Sequence, residues 1–207
     1  MFAAGDLGDV GETTGLIRAA IDAFGGIDIL VNNAAVSDRS TLEDITPELF
    51  ASQINVNLRA PLLLAQAALP SLKTRRGVIL NIGSMNAHIG WQNLLVYAAS
   101  KGALVTASRN MANALKFARV RVYCLNPGWI DTEGERAMMR RLGHPPDFLD
   151  AEGRRYPIGR LIKPQEIAAV ALFLVSKRGE PFSGQVIDLE QYPIGALAHP
   201  RHSEPIQ

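Results

Sequence analysis

A short apolar run near the middle of the chain leads, through a loop that contains glycine, into a long helical segment. The run at 78–80 is typical of a buried strand, and it is expected to end just before Ser84. The helical segment opens near Leu95 and carries Tyr97 and Lys101, whose spacing of four places both side chains on one face of the helix. Residues 81–101 therefore predict a strand–loop–helix unit around which the rest of the chain is organised.

The three polar side chains of this unit are suited to proton transfer. A phenol such as that of Tyr97 titrates near pH ~10, and a nearby ammonium group such as that of Lys101 favours its anion. Ser84, on the adjoining loop, can donate a hydrogen bond to the same reacting oxygen. Together they form a set for carbonyl or alcohol chemistry. A tyrosine and a lysine four residues apart are more often a simple surface pair, so the pair alone does not decide the function.

Four segments in a fixed order and spacing, one of which contains that pair, carry the interpretation further. They are residues 28–35, which end in Asn-Asn-Ala-Ala, residues 54–58, residues 97–101 and residues 126–132. With Ser84, they resemble the short-chain dehydrogenase/reductase family over nearly the whole chain. The resemblance implies an α/β fold with a doubly wound, Rossmann-like parallel sheet. It also implies an NAD(P)-dependent oxidoreductase that interconverts a secondary alcohol and a carbonyl. Sugars and polyols are candidate substrates.

The resemblance also implies a role for each of four catalytic residues. Tyr97 is the general acid/base, and Ser84 holds the substrate oxygen beside it. Lys101 lowers the pKa of the tyrosine and binds the ribose hydroxyls of the nicotinamide. Asn57 orders a water molecule in a proton relay behind the lysine, although without the family pattern it is an ordinary polar residue inside a helix.

Cofactor-binding positions follow from the same resemblance. Asp6 and Leu7 match a pair that contacts the adenine ring, although Asp6 is equally suited to a turn. Ala35 stands where the family more often has glycine. The complete set implied is Asp6, Leu7, Asn33, Ala34, Ala35, Tyr97, Lys101, Pro127, Gly128, Ile130 and Thr132. The cofactor implied is NAD or NADP, and the sequence does not choose between them.

The order of strands and helices is consistent with this fold. Helices are predicted at 10–24, at 46–72 with a kink at Pro61, at 95–117 and at 165–176. Strands are predicted at 28–33, 78–83, 119–125 and 185–189, and strand 28–33 reads as buried on both faces. Strands that alternate with helices of this length favour a parallel sheet in a single domain, residues 1–207.

Two segments near the carboxyl end depart from regular periodicity. Residues 131–163 are rich in arginine and proline, which indicates a substrate loop, with a solvated linker as the alternative. Residues 188–195 replace the acidic residue and two glycines with which many family members finish the last strand. We expect this segment to lie near the substrate pocket or at a subunit interface, and the sequence leaves both open.

The family also begins with two β–α units that have no counterpart among these 207 residues, a length on the order of 50 residues. The first unit holds the pyrophosphate of the dinucleotide at a helix terminus. Cofactor binding by the chain as given is therefore expected to be impaired, and strand 28–33 becomes an apolar edge. A truncated, non-catalytic relic or interaction subunit is the alternative function. The extended epimerases, a third class, need more chain after residue 164 than is present.

Composition excludes several classes of function. The net charge is only +1 and 47% of residues are hydrophobic, so neither nucleic acid nor an acidic surface is indicated as a partner. The single cysteine, Cys124, lies in an apolar run and reads as a buried core thiol. No signal peptide or membrane span is visible, and the four histidines lack metal-ligand spacing, so a cytoplasmic protein without a metal is expected.

The resemblance further implies a homo-oligomer, a dimer or tetramer, built across the helices at 46–72 and 95–117. Their faces keep apolar residues that an interface could bury, among them Leu62, Leu69, Leu104 and Met111. The alternative is that these side chains face the sheet.

Overall fold

The computed structural model describes residues 1–192, and a parallel sheet of four strands lies at its centre. The strands are β1 (Ile29–Asn32), β2 (Val78–Ile82), β3 (Arg121–Pro127) and β4 (Val186–Leu189), and they lie in that order. The helices are α1 (Val10–Phe24), α2 (Pro47–Ile54), α3 (Ala60–Arg75), α4 (Leu95–Leu115), α5 (Glu133–Arg141), α6 (Phe148–Gly153) and α7 (Pro164–Val175). A π-helical segment, Asn55–Arg59, joins α2 to α3.

The sheet is covered by helices on both faces, which confirms the doubly wound α/β fold. On one face, alternate strand residues such as Leu30, Ile79 and Val122 pack against α1, α3 and α4. On the other, Leu80 and Leu125 pack against α7. Because every strand pair is parallel, the carboxyl ends of β1, β2 and β3 lie at one edge of the sheet.

Local sequence signals place the helix boundaries. The Asp9 side chain accepts a hydrogen bond from the Glu12 amide and caps α1, which ends at Gly25 in the left-handed conformation with φ of 72°. The Thr46 side chain caps α2 in the same way, with Pro47 at the first helical position. These positions agree with the boundaries predicted from the sequence.

The predicted kink at Pro61 is in fact a π-helical turn just before it. Proline has no N–H group, so Pro61 cannot donate to the carbonyl of Asn57, four residues earlier. The amide of Ala60 instead donates to the carbonyl of Asn55, five residues back. The irregularity therefore lies at residues 55–59, and Asn57 is part of it.

Strand β1 is buried on one face only, so the prediction of burial on both faces was wrong. Ile29 and Val31 remain 46% and 48% exposed, whereas Leu30 is buried. They point to the face that α7 occupies, and α7 packs over the neighbouring strands. Residues 1–4 form no strand, and no described strand lies beside them. Strand β1 is the outermost strand on one side of the described sheet, as expected.

Residues 131–163 form a small helical unit and not a solvated linker. Helices α5 and α6 enclose an apolar cluster of Met139, Leu149 and Leu161. Arg136 donates to both Asp131 and Asp150, and the hydrogen bonds from Arg136 and Lys163 lower the pKa of Asp131 to about 2. These contacts hold the unit against the end of β3.

The segment after β4 packs on this helical unit. Gln191 accepts a hydrogen bond from the amide of Ile158 and donates to the carbonyl of Arg160, and the Tyr192 hydroxyl donates to the carbonyl of Arg155. Of the two places left open for residues 188–195, the described part thus lies beside the predicted substrate loop. Residues 193–195 and the rest of the predicted domain to residue 207 lie outside the described residues.

The predicted interface residues divide between surface and core. Leu62 is 38% exposed on α3, but Leu104 is 1% exposed because it faces the sheet, so its assignment to an exposed face was wrong. Met111 packs against the core cluster, and Leu69 is half-buried. Cys124 is buried, as predicted. None of the helices within residues 1–192 combines the length and the apolar character that a membrane span requires.

Candidate active site

Ser84 and Tyr97 meet at the carboxyl end of β2. Ser84 is buried and stands two residues after the strand, where its Oγ accepts a hydrogen bond from the amide of Asn86 at 3.1 Å. Its own amide donates to Oδ1 of Asn126 at 3.2 Å. Tyr97 lies in the first turn of α4, and its phenol is within hydrogen-bonding reach of the Ser84 side chain. The structure thus brings together the predicted acid/base and the predicted substrate-oxygen donor.

Lys101 lies one turn further along α4 and is almost fully buried. Its Nζ donates to the carbonyl of Ile82 at 2.7 Å and lies 5.8 Å from the centre of the Tyr97 ring. Burial lowers the pKa of Lys101 to about 8, because an ammonium group loses hydration inside the protein. The lysine therefore still carries its charge at neutral pH.

The pKa of Tyr97 is raised, in the opposite direction to the one expected from the neighbouring lysine. Burial of the phenol is the main cause, and the hydrogen bond with Ser84 offsets it only in part. Burial dominates because the anion would lose its hydration, and the lysine ammonium is directed to the Ile82 carbonyl. Tyr97 is accordingly protonated at neutral pH and is suited to donate a proton to a carbonyl oxygen.

Asn57 connects this site to the loop after β1. Its Oδ1 accepts from the amide of Val36 at 2.9 Å, and its Nδ2 donates to the carbonyl of Val36 at 2.8 Å and to Oγ of Ser100 at 3.1 Å. Ser100 in turn donates to the backbone carbonyl of Tyr97 at 2.7 Å. A π-helical turn is frequent at functional sites, and here it places Asn57 behind Tyr97.

Sequence reasoning missed the buried residues that support the site. Asn32 donates to Asn81 at 2.8 Å, and Asn81 donates to Ser108 at 2.8 Å, so a polar row joins β1, β2 and α4. Asn126 accepts from Ser84 and donates to Asp188. For Asn32, Asn81 and Asn126, the sequence signal was a polar side chain in or at the end of an apolar run. Buried polar side chains form hydrogen bonds.

His88 extends this network to β4. Its Nε2 lies 3.2 Å from Oδ1 of Asp188 and 3.1 Å from Nδ2 of Asn126. These contacts connect the loop after Ser84 to the ends of β3 and β4.

The predicted cofactor residues fall into two groups. Asn33, Ala34 and Ala35 are exposed at the end of β1. Pro127 ends β3, and Gly128 lies so close to the Glu190 carboxylate that a Cβ there would overlap it. Ile130 forms a bridge with Ile162, and Thr132 caps α5. Both segments lie at the edge of the sheet where Ser84, Tyr97 and Lys101 meet.

Asp6 and Leu7 lie just before α1. The Asp6 carboxylate accepts from the amide of Gly8 at 2.7 Å, which is the turn role left open by the sequence. Arg59, from the π-helical segment, donates to the carbonyl of Gly8. This contact ties the turn to the segment that carries Asn57.

Comparisons with known proteins agree with this geometry. A family model described as enoyl-(acyl carrier protein) reductase matches residues 2–190. Galactitol 2-dehydrogenase of Agrobacterium fabrum is 29% identical over 192 residues, which are 89% of this chain and 75% of that protein.

Two solved structures share the fold over most of the chain. L-Sorbose reductase from Gluconobacter frateurii, complexed with NADPH and L-sorbose, has a TM-score of 0.87 at 26% identity, covering 94% of this chain and 76% of that one. A 3-ketoacyl-(acyl-carrier-protein) reductase from Brucella melitensis, complexed with NADH, has a TM-score of 0.77 at 32% identity, covering 90% and 75%.

The burial of Lys101 predicts a specific pH dependence of stability. Its pKa is about 8 in the folded chain, against an ordinary value of 10.5. Between these values the unfolded chain binds more protons at this position, so the free energy of unfolding rises with pH. Replacing Lys101 with Met removes this contribution. We expect the wild-type slope to exceed that of the variant by up to about 1.4 kcal/mol per pH unit.

Urea unfolding of both proteins from about pH 7 to 9 measures the difference. The range stops there because burial raises the pKa of Cys124 from 9.0 to about 11, which lowers stability above pH 9 in both proteins. Identical slopes in the two proteins would contradict the burial of a charged Lys101.

Proposed function

The chain belongs to the short-chain dehydrogenase/reductase family of oxidoreductases, and from this premise we propose that it interconverts a secondary alcohol and a carbonyl with NAD or NADP. A sugar or polyol is the proposed substrate class. The observation that carries the proposal is the convergence of Ser84, Tyr97, Lys101 and Asn57 at one edge of the sheet. The likeness to a galactitol dehydrogenase and an L-sorbose reductase supports the substrate class.

Each of these residues has a role in the proposed reaction. In reduction, Tyr97 donates its proton to the carbonyl oxygen, which Ser84 holds by a hydrogen bond. In oxidation, the same phenol receives the proton of the alcohol. Burial favours the neutral phenol, and therefore supports proton donation near neutral pH. Asn57 and Ser100 hold the backbone of Tyr97 in place.

A nicotinamide cofactor, when bound, would supply or accept the hydride. The nicotinamide side of such a cofactor fits the residues present. Lys101 offers a buried ammonium, and Oδ1 of Asn32 is buried with no hydrogen-bond partner within residues 1–192. Asn33, Ala34 and Ala35 would line the opposite side. Ile130 and Thr132 would contact the carboxamide. Residues 131–163 would close over the substrate as its loop.

Tyr97→Phe tests the proposed acid/base. The change deletes one hydroxyl, and general acid/base groups typically contribute about 10²–10⁴-fold to rate. We expect turnover to fall by that factor with the fold intact. Steady-state assays of galactitol oxidation and L-sorbose reduction, with circular dichroism for the fold, are the measurements. A chain extended upstream by a glycine-rich β–α unit is the best background.

Tyr123→Phe is the matched control. It makes the same chemical change in a fully buried tyrosine of β3 whose hydroxyl donates to the carbonyl of Gly179, away from the site. It should lower stability and leave turnover per folded molecule unchanged. Near wild-type turnover of Tyr97→Phe would remove the basis for the assignment.

We also propose that these 207 residues bind NAD or NADP weakly. They contain no glycine-rich turn to hold two phosphates at a helix terminus, where anion contacts are worth up to about 2 kcal/mol each. Charge-assisted hydrogen bonds add about 1.5–3 kcal/mol. Losing several weakens binding by at least about 10³-fold. Calorimetric titration of the 207-residue protein with NADPH and with NADH gives the affinities, and a micromolar Kd for either would contradict the proposal.

Self-association is proposed across α2, α3 and α4. Each helix exposes an apolar side chain: Phe50 is 50% exposed, Leu62 38% and Leu95 41%. Large exposed apolar side chains that cluster on a surface are typical of interfaces. We propose a dimer or tetramer that buries them.

Leu62→Glu should convert this assembly to a monomer, because it would place a charge in an apolar interface. Sedimentation velocity at micromolar concentration measures the change. Leu172→Glu is the matched control, since Leu172 is 68% exposed on α7. If the control dissociates the assembly and Leu62→Glu does not, the interface lies on α7 and the proposal is wrong.

A further inference from the structure

An ion pair that the proposed reaction does not use lies beside the active site. It joins Arg39, from the loop after β1, to Glu135, in the first turn of α5. Nη2 of Arg39 lies 3.6 Å from Oε1 of Glu135, and the two side chains are 23% and 21% exposed. Both are therefore mostly withdrawn from water.

Backbone contacts fix each member of the pair next to the start of α4. The residue after Arg39, Ser40, donates its amide to the carbonyl of Asn93 at 3.1 Å and forms a bridge with Leu94, just before that helix. The Thr132 cap orients the first turn of α5. The indole N–H of Trp129 then donates to Oε1 of Glu135 at 2.9 Å.

The pair also lies within electrostatic reach of Tyr97. Burial is the main reason that the pKa of this tyrosine is raised, but the carboxylate of Glu135 raises it further and the guanidinium of Arg39 lowers it. Opposite effects of this kind require both charges to lie near the phenol.

The guanidinium of Arg39 is short of acceptors. It has five N–H donors, yet its contact with Glu135, at 3.6 Å, is longer than a hydrogen bond. Its Nε is buried and has no partner in the part of the chain that the structure describes. Arg136 and Arg160, by contrast, are well paired: Arg136 makes two bonds to Asp131, at 2.7 and 2.9 Å, and Arg160 makes two to Glu166, at 2.8 Å each. Buried donors without acceptors are costly.

We propose that Arg39 and Glu135 bind a hydroxyl group of the substrate that lies away from the reacting carbon. The proposal rests on the proposed function and specifies how that site selects polyhydroxylated substrates. The guanidinium donates a hydrogen bond to the hydroxyl oxygen, and the carboxylate of Glu135 accepts a hydrogen bond from the hydroxyl group. A hydroxyl can do both at once.

The charge of the pair distinguishes this ligand from two others. The pair is neutral overall, so a carboxylate on the substrate would be attracted by Arg39 and repelled by Glu135. An acyl chain would desolvate both charges and offer neither a donor nor an acceptor. A neutral hydroxyl is the group that satisfies both side chains.

The test compares the wild type with Arg39→Met and Glu135→Gln. Galactitol, D-xylose and L-sorbose serve as polyhydroxylated probes, with cyclohexanol as a probe that has one hydroxyl and galactonate as an anionic probe. Binding is measured by ligand-observed NMR titration, and KM and kcat by steady-state assay. Arg18→Met, at an exposed position of α1, is the matched control.

Arg39→Met should weaken binding of at least one polyhydroxylated probe by about 10–100-fold, as expected for loss of a charged hydrogen bond. Its KM should rise by a similar factor with little change in kcat. Glu135→Gln should also weaken binding of that probe, but by a smaller factor. The amide oxygen of the glutamine still accepts a hydrogen bond from Trp129. Cyclohexanol binding should stay within about two-fold, and Arg18→Met should change none of these values.

Three results would overturn the inference. They are equal losses for cyclohexanol and the polyhydroxylated probes, a loss confined to galactonate, and no binding of any polyhydroxylated probe by the wild type. Absence of turnover with every alcohol, in a chain extended upstream by a glycine-rich β–α unit, would instead refute the proposed function. The NMR titrations would then still decide whether Arg39 and Glu135 bind hydroxyl groups.

Discussion

The buried ammonium group of Lys101 sets the geometry of the whole site. A charge withdrawn from water must be hydrogen-bonded, and Nζ of Lys101 meets this requirement at the carbonyl of Ile82, the last residue of β2. That bond fixes the rotation of α4 over the end of the strand. Tyr97, one turn earlier on the same helix face, then lies beside Ser84, two residues beyond the strand. A shift of the helix by one residue would leave the ammonium without its partner and the phenol without the serine.

A second constraint acts on the opposite side of Tyr97. Pro61 has no N–H group, and a π-helical turn at residues 55–59 lies just before it. This turn contains Asn57. The Asn57 side chain binds both backbone groups of Val36 and reaches Ser100 on α4. The loop after β1 is thereby held to the helix that carries Tyr97. One backbone irregularity thus connects the loop after β1 to the residue proposed as the acid/base.

The sequence predicted the elements well, and the environment of each residue less well. Helix α1 and the caps at Thr46 and Gly25 follow from local signals, which act within one turn. The exposure of Ile29 and the burial of Leu104 depend on which helix covers which face of the sheet, and no local pattern contains that information. The predicted lowering of the Tyr97 pKa was wrong for the same reason. The spacing to Lys101 was correct, but the ammonium group donates to the carbonyl of Ile82, and burial of the phenol raises the pKa.

Arg39 shows why substrate recognition is harder to predict than catalysis. Tyr97 and Lys101, which we propose for catalysis, are constrained by their spacing on one helix, so a sequence pattern can point to them. Arg39 and Glu135 are 96 positions apart and meet only because β1 and β3 end at the same edge of the sheet. What distinguishes Arg39 from Arg136 and Arg160 is a hydrogen-bonding deficit, which only three-dimensional structure reveals. Well-paired arginines stabilise the fold locally, whereas one with unused buried donors beside a phenol is placed to receive a ligand.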